Sequence, residues 1–147
     1  MSKSQLESNF KDYEEAIADL DSAFIGYAVK ANNNMNVLIH LANLGSGAVL
    51  VSGNEIRIAM KAGFPTHKMV FNGNGKTQAD LDLAVENHIL VNVDSEFDLE
   101  HIIRAGQNTG KKARALLRIN PDVDPKVHPY VSTGLANSKF GIENTRI

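Results

Sequence analysis

Along residues 5–20 the apolar positions Leu6, Phe10, Tyr13, Ile17 and Leu20 recur at spacings of three and four, which predicts a helix with one buried stripe. Residues 24–29 form a short apolar run followed by Asn32, Asn33 and Asn34, the pattern of a buried strand ending in a loop, with Lys30 at its carboxyl end. Val37, Leu38, Leu41 and Leu44 return to helical spacing, with an asparagine ahead of them as a cap and Gly45 as a terminator. The same unit then recurs: strand 48–52 with helix 54–62 stopped by Gly63, strand 68–72 with helix 77–87, strand 89–93 with helix 96–108, and strand 113–119. These strands are almost wholly apolar instead of alternating, so they are expected to be covered on both faces. Strand and helix alternating at roughly 20–24 residues mark a parallel sheet with helical crossovers, and the fold class is α/β. Residues 120–138 carry neither period, contain Pro121, Pro125 and Pro129, and read as a long loop before residues 139–142 turn apolar again.

A length of 147 residues fits one domain. Lys and Arg number 15 against 17 Asp and Glu, so no summed basic field exists to hold nucleic acid or an anionic membrane. The mostly apolar run at 23–29 is far shorter than the roughly 18 residues of a membrane span. The absence of cysteine excludes disulfides, thiolate metal sites and cysteine nucleophiles. The amino terminus, with Glu7, Asp12, Glu14 and Glu15, lacks the character of a secretory signal or an organelle transit peptide. A cytoplasmic location is expected, with a plastid left open if a targeting segment preceded the chain.

Two apparent phosphate motifs fail. Gly75, Lys76 and Thr77 end like a Walker loop, but Val70 stands where its first glycine belongs. Gly45, Ser46 and Gly47 start like a dinucleotide fingerprint but precede a strand, and Leu50 replaces the third glycine. The five histidines show no helical pairing that would favour zinc. The remaining polar groups follow strand ends: Lys30 with its asparagines, Ser52 to Glu55, Asn72 to Lys76, Asp94 to Glu96, and Arg118 to Asn120. Ligand chemistry in parallel α/β folds collects at this edge, whereas turns and caps alone account for Asn33, Asn34, Asp94 and Ser95. Lys30 directly follows an apolar strand. Burial there would lower its pKa and let the amine condense with an aldehyde, as in pyridoxal phosphate attachment. The plainer reading has Lys30 reaching to water or pairing with a carboxylate such as Glu55.

The run Tyr27-Ala28-Val29-Lys30-Ala31-Asn32 resembles the cofactor-attachment motif of the pyridoxal phosphate decarboxylases of the ornithine, diaminopimelate and arginine group, which share an alanine racemase-like barrel. In order, Gly47-Ala48-Val49-Leu50-Val51-Ser52-Gly53-Asn54-Glu55, Phe71-Asn72-Gly73-Asn74-Gly75-Lys76, Val93-Asp94-Ser95-Glu96 and Leu117-Arg118-Ile119-Asn120-Pro121 resemble the same family. So do His128-Pro129-Tyr130-Val131-Ser132-Thr133-Gly134 and Lys139-Phe140-Gly141. The wording is most similar to the diaminopimelate branch, since the ornithine branch would carry a Cys after the lysine-alanine position.

The resemblance implies a (β/α)8 barrel whose first strand ends in Lys30, the catalytic residue that would hold pyridoxal 5'-phosphate. It implies an amino-acid substrate, meso-diaminopimelate, decarboxylated to L-lysine. Arg118 matches a family arginine beside the cofactor; a strand-end salt bridge is its plainer role. Five strand-helix units fall short of a full barrel of about 250 residues, so residues 1–147 are expected to be an incomplete barrel domain. The missing units would carry the family's Gly-rich phosphate loop, its Glu for the pyridine nitrogen, and the carboxyl-terminal β domain. Two open sheet edges then predict self-association or dependence on a missing carboxyl-terminal portion. The chain alone is accordingly expected to be inactive or incomplete, and the rival reading is a non-catalytic barrel remnant that binds and modulates full-length decarboxylase subunits.

Overall fold

The structure, a computed structural model, describes residues 2–123, 126 and 141–143. The first helix, α1, spans Lys3–Ala16 and begins where the Ser2 hydroxyl accepts the Gln5 amide. It is followed by β1 (Gly26–Ala28), a 3₁₀ turn at Val29–Ala31, α2 (Met35–Asn43), β2 (Gly47–Leu50), α3 (Gly53–Ala62) and β3 (Met69–Phe71). The chain continues with α4 (Gln78–Glu86), β4 (Leu90–Val93), α5 (Glu96–Thr109) and β5 (Arg114–Leu117). Local chemistry sets the helix ends. Asn34, Ser52, Thr77 and Ser95 each accept an amide of the first turn of α2 to α5, and Gly63 and Gly110 close α3 and α5 in the left-handed conformation.

The strands form one sheet in the order β1-β2-β3-β4-β5 with every pair parallel. The α/β reading and its five parallel strands are therefore correct, and among the described residues β1 to β4 are each followed by a helix. The registers align Ala48 with Met69, Leu50 with Phe71, and Phe71 with Val91, which places these side chains on the helix-covered face. There they meet Leu38, Ile56, Leu81 and Val85 in one core. Leu38, Leu50, Ile56 and Phe71 are fully buried, and each such side chain contributes about 1.5–3 kcal/mol relative to exposure.

Burial on both faces holds less widely than the apolar strands predicted. Val49, Val70 and Leu90 share the opposite, inner face and are only half-buried, while every residue of β5 is exposed. Among the described strands β5 has a neighbour on one side only, and nothing of the described sheet lies across the inner face. The predicted helix 5–20 ends at Ala16, ahead of the turn-forming Asp19, Asp21 and Ser22. Of its stripe only Phe10 is buried, whereas Tyr13 and Leu20 are exposed, because α1 meets β1 and α2 along a narrow face. The fifth strand also stops short of Ile119. Arg118 is the last residue bonded to β4, its amide donating to the Val93 carbonyl at 3.0 Å, and Ile119–Asn120 (β6) pairs in parallel with Ile142–Glu143 (β7). Most of the predicted 120–138 loop lies outside the described residues.

Candidate functional site

Side chains two apart on a strand share a face, so the inner-face series 28, 49, 70 extends past the strand ends to residues 30, 51 and 72. A cavity of about 330 Å³ opens there. Ala28, Val49 and Val51 form its apolar side, the turn at residues 72–75 forms another wall, and Lys30 and Arg118 contribute the cationic groups. The volume lies at the lower end of the ~300–1,000 Å³ typical of small-molecule sites. Glycine is required in the turn at Gly73, whose φ is +91°.

Lys30 stands in the 3₁₀ turn after β1, which is held by the Asn32 amide donating to the Val29 carbonyl at 3.1 Å. Its neighbour Val29 is fully buried, but Lys30 itself is exposed. The expected shelter for the amine is thus not met. The turn lifts Lys30 beyond the last strand hydrogen bonds, and the inner face in front of it is open. Lys30 nevertheless lines the cavity. Glu55 is not its partner: that carboxylate accepts the Val51 amide at 2.8 Å and so braces the start of α3.

Behind the cavity lies a buried charged network. Lys76 Nζ donates to the Gly73 carbonyl and to Asp98 Oδ2, and lies 3.2 Å from Asp94 Oδ2. Its side chain has 0% exposure, against 2% for Asp94 and 9% for Asp98. Asp94 Oδ1 accepts from Arg118 Nη1 at 3.3 Å, so the strand-end ion pair considered for Arg118 is present while the guanidinium still reaches the cavity. Asp98 Oδ2 also accepts the Asp94 amide at 3.1 Å, and Asn92 Nδ2 donates to Asn72 Oδ1 at 2.7 Å. Burial pushes the pKa of the Tyr27 phenol upward, and its hydroxyl donates to the Asn32 carbonyl at 3.3 Å.

The structure therefore brings Lys30 and Arg118 to one cavity. It corrects the turn reading of Asp94, which is buried and charge-paired, and upholds the cap reading of Ser95, whose hydroxyl accepts the Asp98 amide at 3.2 Å. Sequence reasoning passed over Asp98 and placed Lys76 in the strand-end cluster 72–76 without giving it a partner. The signal was an acid three residues after a serine cap, together with Asn92 inside an otherwise apolar strand. The motifs at 128–134 and 139–140 lie outside the described residues. Among the described residues no group of His, Asp and Glu is arranged to hold a metal ion, and no helix is long and apolar enough to cross a membrane.

A parallel α/β sheet with a lysine and an arginine at a cavity beyond its strand ends defines a class of α/β proteins, barrels and open sheets alike, that bind small ligands at this edge. The family model described as pyridoxal-dependent decarboxylase, pyridoxal binding domain, matches residues 3–146, and the chain belongs to that family. The probable chloroplastic diaminopimelate decarboxylase of Oryza sativa subsp. japonica is 59% identical over 146 residues, covering 99% of this chain and 30% of the relative. The diaminopimelate decarboxylase of Aquifex aeolicus is 45% identical over 139 residues, covering 94% of this chain and 32% of the relative. The crystal structure of diaminopimelate decarboxylase from Helicobacter pylori complexed with L-lysine matches with a TM-score of 0.94 at 40% identity, over 99% of this chain and 37% of that one. The Paramecium bursaria Chlorella virus arginine decarboxylase matches with a TM-score of 0.72 at 25% identity, over 93% of this chain and 35% of that one. The chain spans about a third of the length of these relatives and corresponds to the amino-terminal part of their barrel domain.

Proposed function

We propose that residues 1–147 supply the cofactor-anchoring part of a barrel domain that decarboxylates meso-diaminopimelate to L-lysine with pyridoxal 5'-phosphate. The supporting observation is the placement of Lys30 beside Arg118 at the strand-end cavity of a chain in this family. The residues present fit the group: an amine for its aldehyde, a guanidinium for an anionic oxygen, and an apolar side formed by Ala28, Val49 and Val51 for a flat ring. When bound, this cofactor supplies an electron sink for the pair left as carbon dioxide departs.

In this reading Lys30 Nζ is the anchor and, once released by the substrate amine, an ammonium that can deliver the proton replacing carbon dioxide at the reacting carbon; it hangs from a short turn whose Val29 side is fixed in the core. Arg118 orients the ligand through charge and is itself oriented by Asp94. Exclusion of water is poor here, because Lys30 is exposed. The chain by itself should therefore bind the cofactor and turn over slowly or not at all.

The test mixes the purified chain with pyridoxal phosphate, reduces with borohydride and maps the adduct by mass spectrometry. Label on Lys30 that disappears in Lys30→Ala is the expected result. No label there, or the same label in Lys30→Ala, refutes the assignment. Carbon dioxide release from diaminopimelate at rates typical of enzymes, about 1–10³ s⁻¹, would refute the claim that the chain alone is a poor catalyst.

A further inference from the structure

Two walls of the cavity are held by residues that do not line it. Lys76 has three ammonium hydrogens and three acceptors, the Gly73 carbonyl and one oxygen each of Asp94 and Asp98, so a ligand has no free donor to recruit from it. Asp94 is equally inaccessible, yet one of its oxygens faces Lys76 and the other faces Arg118. The network thus connects the 72–75 turn, through Lys76 and Asp94, to the guanidinium at the cavity. Stability is a weak reason to keep such a cluster, because apolar residues of similar volume often serve as well or better. Preorganising a cation and a turn for a ligand is a stronger one, since the cost of ordering them is met at folding rather than at binding.

We propose that Asp94 and Lys76 are positioning residues for this site: Asp94 aims the Arg118 guanidinium into the cavity, and Lys76 fixes the Gly73 turn facing it, so that a phosphorylated aldehyde meets a preformed wall. The inference rests on the functional reading above and adds to it the residues that set its geometry. Neither residue touches the ligand. Both act through Arg118 and Gly73.

The test uses the full 147-residue chain as wild type, Asp94→Asn, Arg118→Lys and the double variant. The dissociation constant for pyridoxal phosphate is read by absorbance titration with borohydride trapping at Lys30, and the mobility of the Arg118 side chain by the heteronuclear NOE of its Nε–H group. Far-UV circular dichroism confirms folding. Asp94→Asn should weaken binding about tenfold, lower the NOE, and add little once Arg118 is already Lys. Additive losses, or an unchanged affinity and NOE, overturn the proposal. If the wild-type chain takes no cofactor at Lys30, the functional reading fails by itself, and the NOE then decides: a lowered value in Asp94→Asn upholds the positioning role and an unchanged one ends it. Should Asp94→Asn not fold, Asp94→Glu, which keeps the charge and displaces it by one methylene, is judged by the same criteria.

Discussion

Replacing Lys76 with Met keeps most of the side-chain volume and removes one buried cation. The substitution deletes three donated hydrogen bonds and leaves two carboxylates facing one another. Asp94 retains Arg118 at 3.3 Å, but Asp98 Oδ2 is left with the Asp94 amide at 3.1 Å. Removing one partner of a buried pair costs about 3–5 kcal/mol, a large share of the roughly 5–15 kcal/mol that stabilises an ordinary domain. Adding Asp98→Asn removes the orphaned charge, so the double variant should be about 1–2 kcal/mol more stable than Lys76→Met alone. Urea unfolding followed by circular dichroism at one protein concentration measures both differences. A loss below about 1 kcal/mol, the range of exposed ion pairs, would show that the network is wet in solution. Lack of any recovery in the double variant would refute direct coupling of Lys76 to Asp98.

Gly47→Ala would set a Cβ 2.2 Å from the Lys68 carbonyl oxygen and 2.8 Å from the Phe24 ring, forcing β2 away from the turn before β3. It should cost about 1–3 kcal/mol, and a melting temperature equal to wild type would contradict the packing. Burial raises the Tyr27 pKa above 10.0, so the folded state favours the protonated phenol. Its contribution is complete below the unfolded pKa and is lost as pH rises through the folded one. Stability should therefore fall as pH rises above about 10, and less so in Tyr27→Phe; identical alkaline profiles in urea melts would exclude this cause. Leu116 and Leu117 are 44% and 54% exposed on β5, an edge of the described sheet. Concentration-dependent association that weakens in Leu117→Lys is the expected outcome in sedimentation velocity, and a monomer at every concentration would count against it.

The helices were legible because their signals are local. Gly63 closes α3 as its position after the apolar period predicted, Ser52 and Ser95 cap helices at the strand-end clusters, and Thr77 caps α4 at the start of the predicted helix 77–87. Strand limits were read less well. The run 113–119 looked like one strand, but pairing with β4 ends at Leu117, and Ile119 turns to Ile142, a partner in a different sheet. Periodicity cannot show where one strand changes neighbours. The stripe on α1 misled for a related reason: spacing marks a face but not how much of it another element covers, and here Phe10 alone is buried.

The order and kind of the elements, the parallel sheet and the placement of Lys30 after the first strand followed from the amino-acid sequence alone, because period, caps and apolar runs act over a few neighbouring residues. What only the tertiary structure decided was exposure and charge pairing. Lys76 reaches Asp94 and Asp98 across 18 and 22 residues, and Arg118 reaches Asp94 across 24, so their meeting depends on strand register and not on any short motif. The turn after β1 left Lys30 in the open, since shelter comes from what stands opposite a side chain rather than from the strand that precedes it.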